Sequence, residues 1–94
     1  MKKLHQQVAT IIGREVESWR NAAGLSITEA VQLAGYRGCA SDGRWADTES
    51  GDAFPVESRL IRMVGKVEAD DIIEAAASDV GVSAEAVRLM MAVR

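Results

Sequence analysis

Residues 26–35 read Ser26-Ile27-Thr28-Glu29-Ala30-Val31-Gln32-Leu33-Ala34-Gly35. Serine followed three positions later by glutamate is a capping box, in which hydroxyl and carboxylate satisfy each other's orphan amides at a helix start. Ile27, Ala30, Val31, Leu33 and Ala34 supply the apolar side of that helix, and Gly35 stops it. Upstream lies a longer amphipathic stretch: Leu4, Val8, Ile11, Ile12, Val16, Trp19 and Ala23 recur at spacings of three and four, closed by Gly24. Only Gly24 and Leu25 separate the two stretches. Helices joined so tightly must pack against each other at a steep angle.

Working outward, residues 36–54 are poor in apolar anchors, with Tyr36, Trp45 and Phe54 as the only large ones and Gly38, Gly43 and Gly51 interrupting. The stretch predicts a short helix from about Ser41 to Glu49, capped by Ser41 and held by packing Trp45 and Thr48 against its neighbours. Pro55 reads as the start of a fourth helix carrying Val56, Leu60, Ile61, Met63, Val64 and Val67. A fifth runs from Asp70 to Val80, ended by Gly81, and Ser83 caps a last one lined by Val87, Met90 and Met91. No segment alternates with period two. The expectation is an all-α bundle of five to six short helices.

Ninety-four residues suffice for one core, and 48% hydrophobic with 27% charged residues excludes a wholly disordered chain. The longest apolar runs, such as Leu89 to Val93, are far too short to cross a bilayer. Met1-Lys2-Lys3 is followed by polar His5, Gln6 and Gln7 where a secretory leader needs apolar residues, and the single Cys39 permits no internal disulfide, so a cytoplasmic location is expected. The net charge of −3 is unevenly spread: residues 1–66 carry +1 and residues 67–94 carry −4. Affinity for polyanions therefore belongs to the first two-thirds.

Enzyme chemistry finds few candidates. His5 is the only histidine and reads as a solvated residue of the first helix; Cys39, beside Arg37, has no histidine near it in sequence to act as a base. A zinc site needs about four Cys, His or carboxylate ligands. Asp70-Asp71 and the pair Asp42 and Asp47 read better as a helix N-terminus and a solvated face than as a cation site. No catalytic residue, metal or cofactor is expected.

The succession of helices does carry information. Trp19-Arg20-Asn21-Ala22-Ala23-Gly24-Leu25-Ser26 is similar to the "R-x-x-x-G-L-[ST]" junction between the first two helices of phage-repressor and Cro-like (XRE-type) regulators. Residues 27–35 resemble that family's first helix-turn-helix segment and its glycine. Trp45-Ala46-Asp47-Thr48-Glu49-Ser50-Gly51 resembles the end of its recognition helix, with Thr48 where the pattern has a large apolar residue. Pro55 followed by Leu60-Ile61-Arg62-Met63-Val64 is similar to the closing helix. The resemblance covers about residues 9–68. It departs in the turn, where Tyr36 through Ala40 fill a connection that the family makes almost directly.

The resemblance implies a lambda-repressor-like helix-turn-helix domain over residues 1–68, with residues 69–94 as an acidic extension that either completes the core or forms a homodimer. It implies a small DNA-binding transcriptional regulator of repressor, Cro or antitoxin kind, with the Ser41–Glu49 helix in the major groove. Arg44 and Asp42 would read bases, with Ser41, Gly43 and Asp47 completing the DNA-binding face of that helix, while Ser26, Thr28 and Arg37 would position the backbone. Glu49 and Trp45 would be structural, as would Arg20, for which Glu49 is a candidate partner. The alternative keeps the fold without DNA: a protein-binding adaptor whose contacts are Tyr36, Arg37 and the carboxylates of the third helix.

Overall fold

A computed structural model describes residues 2–36 and 41–92. Its described residues form six helices: α1 (Lys2–Ala22), α2 (Ile27–Leu33), α3 (Ser41–Ser50), α4 (Glu57–Val64), α5 (Lys66–Val80) and α6 (Ala84–Ala92). No strand occurs among them. The all-α class is as the periodicity required, and none of these helices is long and apolar enough to cross a membrane.

The capping box at α2 forms in both directions: the Ser26 amide donates to Glu29 Oε1 at 2.9 Å, and the Glu29 amide donates to Ser26 Oγ at 3.1 Å. At the other end, the Tyr36 amide reaches the Val31 carbonyl and the Gly35 amide reaches that of Gln32. This closure needs the left-handed backbone that Gly35 adopts at φ 83°. Ser83 caps α6 through the Ala86 amide, as its position promised.

Two boundaries differ from expectation. α3 is described from Ser41 onward, and the expected capping by the Ser41 side chain lies outside the described residues. Pro55 does not open α4, because Val56 is extended (φ −70°, ψ 133°) and the helix starts at Glu57; the proline is instead fully buried. α5 begins four residues earlier than Asp70. Gly65, at φ 93° and ψ 160°, ends α4 and redirects the chain, so Val67 belongs to α5, where it is 76% exposed instead of lining α4.

One cluster of buried residues joins all six helices. It runs from Val8, Ile12 and Val16 on α1 through Ala30 and Val31 on α2 and Trp45 on α3. Leu60 and Met63 on α4, Ile72 and Ile73 on α5, and Val87 and Met91 on α6 complete it. α1 packs on both α3 and α5, and α5 also packs on α4 and α6. The expected division near residue 68 thus falls inside α5. The apolar residues offered for dimerisation are spent within the chain, with Ile72, Ile73, Ala76, Val87 and Met91 buried and Val80 and Met90 packed against them.

The contact between α1 and α3 depends on Gly13. A Cβ there would lie 2.4 Å from the Thr48 carbonyl oxygen and 2.8 Å from that of Glu49. Alanine would gain about 1 kcal/mol in helix propensity, but the backbones would have to separate, and overpacking of this kind costs about 1–3 kcal/mol. Gly13→Ala is therefore expected to lower the urea midpoint of unfolding; an unchanged or raised midpoint would show that the two helices can part at no cost.

Candidate nucleic-acid interface

α3 is held from behind by three side chains. Trp45 is fully buried and meets the Tyr36 ring at 6.2 Å between centroids. Thr48 is buried although it stands where an apolar residue was expected, because its hydroxyl donates to the Arg44 carbonyl at 3.2 Å on its own helix. Glu49 accepts two hydrogen bonds from Arg20, from Nε at 2.6 Å and from Nη2 at 2.9 Å. Arg20 Nη1 also donates to the Leu25 carbonyl at 2.9 Å. One guanidinium therefore ties the end of α1, the turn before α2 and the last turn of α3. The side chains of the pair are 14% and 5% exposed. Hydrogen bonding to Glu49 pushes the Arg20 guanidinium further above its already high value, so it stays charged throughout the accessible pH range.

With that side fixed, Gly43, Arg44, Ala46, Asp47 and Ser50 are exposed. Gly43, Arg44 and Asp47 are thus exposed as the sequence reading required. Arg37 lies outside the described residues, and so do the side chains of Ser41 and Asp42. Ser26 and Thr28 lie at the start of α2, and Thr28 shares a helical face with Gln32 one turn later. Ser26 is not beside Arg44. It sits at the end of α2 that Arg20 ties to Glu49, whereas Arg44 lines a cleft with Gln32 and Gly35 at the opposite end.

That cleft, of about 790 Å³, is lined by Gln32, Gly35, Tyr36, Arg44, Val56, Ser58, Arg59 and Arg62. Three of these residues are arginines and none is acidic. Arg59 is fixed: Nη1 donates to the carbonyls of Ala34 and Gly35, and the guanidinium lies 4.8 Å over the Tyr36 ring. The side chains of Arg44 and Arg62 make no hydrogen bond or ion pair among the described residues. Asp47 lines a smaller adjoining cleft that Arg44 also borders.

Arg59 and Arg62 were missed by reading α4 only for its apolar residues. Their spacing of three puts both on one side of α4, and the proximity of that side to Gly35 is a tertiary fact with no local signal. Elsewhere three cations, Arg20, Lys66 and Arg88, are paired with carboxylates. Arg88 bridges Glu57 and Asp70 at 3.0 and 2.9 Å, and Lys66 reaches Asp70 at 2.9 Å. No family model matches the chain, and comparison with curated proteins and with solved structures returns no match.

Two outcomes follow from this geometry. Glu49→Ala strands the largely buried Arg20 and is expected to cost about 3 kcal/mol in urea unfolding, whereas a loss below about 1 kcal/mol would reduce the clamp to a surface pair. The second concerns pH. The Ser26 amide, and then its hydroxyl, hold the Glu29 carboxyl below its ordinary value. A lowered folded value means stabilisation that is present above the ordinary carboxylate range and is lost as pH falls through the lowered value. Glu29→Gln keeps an acceptor for the box but cannot titrate, so the acid limb of its stability profile should be shallower than that of the unsubstituted protein. Parallel limbs would contradict this.

Proposed function

We propose that the protein is a small DNA-binding transcriptional regulator of the phage-repressor or Cro-like kind. In this reading α2 and α3 act as a helix-turn-helix and α3 enters the major groove. The observation that carries it is the gathering of Arg44, Arg59 and Arg62 in a cleft beside α3, with no carboxylate among its described lining residues, in a chain whose net charge is −3. Three arginines without an ion pair among the described residues thus share one cleft in an acidic chain. Arg44 is the residue suited to read guanine, since its forked donors match the O6 and N7 acceptors. The small outward residues Gly43, Ala46 and Ser50 leave room for close approach to a groove. Trp45 and Glu49 support the same reading as anchors that fix the helix from the opposite side.

Paired helix-turn-helix domains address successive grooves as dimers. Most apolar side chains of α5 and α6 are inside the monomer, Val67 and Leu89 being the exposed large ones, so a pair on DNA would find few apolar groups on these helices. One observation favours an adaptor instead: Asp47 is exposed on α3, and its carboxylate forms no ion pair among the described residues. The arginine cleft outweighs it, three cations against one carboxylate.

The test is enrichment of bound fragments from a pool of sheared genomic DNA at low and moderate salt. The intact protein should select particular sequences, and Arg44→Ala should lower affinity for them by about 1–3 kcal/mol and relax selectivity. No enrichment at any salt would overturn the reading and turn attention to a protein partner for the α3 face.

A further inference from the structure

The feature of the cleft that the sequence did not foretell is how its arginines are arranged. A Cβ built on Gly35 would lie 2.7 Å from Arg62 Cζ and Nη1, and 2.8 Å from Arg59 Nη1. Two guanidiniums therefore converge on one point above the backbone of Gly35, where any side chain would displace them. Arg44 lines the same cleft from α3. Like charges held so close repel, and no carboxylate among the described lining residues relieves them. The carbonyls of Ala34 and Gly35, at the negative end of α2, attract Arg59 alone. The donors of Arg62 and Arg44 remain unused among the described residues, and Gln32 and Ser58 add neutral hydrogen-bonding groups to the rim. A tetrahedral anion suits this arrangement, because guanidinium forks bind phosphate oxygens in pairs.

We propose that the cleft between the C-terminal end of α2, α3 and α4 is a phosphate-binding site whose ligand is a backbone phosphodiester of double-stranded DNA. Arg62 contacts the phosphate, Arg59 is the positioning residue that holds the floor of the site against Tyr36, and Arg44 closes the α3 side of the cleft while reading the adjacent base. The proposal rests on the DNA-binding reading for the source of the phosphate. It assigns α4 a part in binding: α3 addresses the groove while α4 grips the strand beside it. Contact with phosphate carries no sequence information, so Arg62 and Arg44 differ in the kind of loss their removal causes.

The experiment measures affinity of the full chain for a selected duplex and for an unrelated duplex over a range of salt. The variants are Arg62→Gln and, as a control of equal charge, Arg14→Gln on the exposed face of α1. A second arm titrates inorganic pyrophosphate while following the backbone amide signals of Gly35 and Tyr36. Arg62 bonds to nothing among the described residues, so its removal should leave the fold intact by circular dichroism. The expected result is at least a three-fold loss with Arg62→Gln on both duplexes, a salt slope shallower by about one, and no such change with Arg14→Gln. Pyrophosphate should shift both amide signals in the intact protein and not in Arg62→Gln. If the intact protein binds DNA and Arg62→Gln matches it in slope and affinity, the site is overturned while the DNA reading survives. If DNA is not bound yet pyrophosphate still moves the amides, the phosphate chemistry stands and DNA as its source falls. Failure of both arms overturns the site.

Discussion

The bidentate ion pair between Arg20 and Glu49 is the constraint on which the rest of the arrangement turns. Its two partners stand 29 positions apart, and closing it brings the last turn of α1 onto the last turn of α3. The third donor of the same guanidinium holds the Leu25 carbonyl, which sets where α2 begins. With those ends fixed, Gly13 lets the α1 and α3 backbones approach, and Trp45 has a determined place between α3 and its neighbours. A charged pair this sheltered is not an obvious source of stability, since desolvation offsets much of its attraction. Its value lies in direction, because a planar fork and a carboxylate meet in few ways, and an apolar contact in many.

The second principle is the sorting of charge. The protein is acidic overall, yet its carboxylates and cations are not evenly mixed on the surface. Glu49 neutralises Arg20, Glu57 and Asp70 neutralise Arg88, and Asp70 also holds Lys66, which keeps the Asp70 carboxyl below its ordinary value. The partly exposed members of this set add little to stability individually. Collectively they decide which arginines are left over. Among them are Arg44, Arg59 and Arg62, which the fold places in one cleft, whereas Arg14 stands apart on α1. Net charge is thus a poor guide to the local field that a partner would meet.

Much of the architecture was legible because its signals are local. The capping box at Ser26 and Glu29, the apolar stripe of α1 and the cap at Ser83 each depend on residues within one or two turns. Boundaries failed where a single backbone conformation decided them, as at Val56 after Pro55 and at Gly65 before α5. Periodicity ran across Gly65 and assigned Val67 to the wrong helix. The outward face of α3 was partly legible: exposure of Gly43, Arg44 and Asp47 followed once Trp45 was taken as the buried residue. The cleft was not, since it requires α4 to lie beside the end of α2, and nothing in residues 56–64 records that neighbour. Gly13 was equally silent, because a glycine inside a helix looks like a weakness until its facing backbone is known.

α3 divides its labour by face. Trp45, Thr48 and Glu49 look inward and hold the helix, whereas Gly43, Ala46, Asp47 and Ser50 look outward and lie outside the buried core. Substitutions on the outer stripe therefore leave the fold nearly untouched. A lineage of such chains could exchange one target for another by rewriting a handful of outward positions, with no compensating change in the interior. On the proposed reading, the target is free to drift while the interior that sets the fold stays as it is.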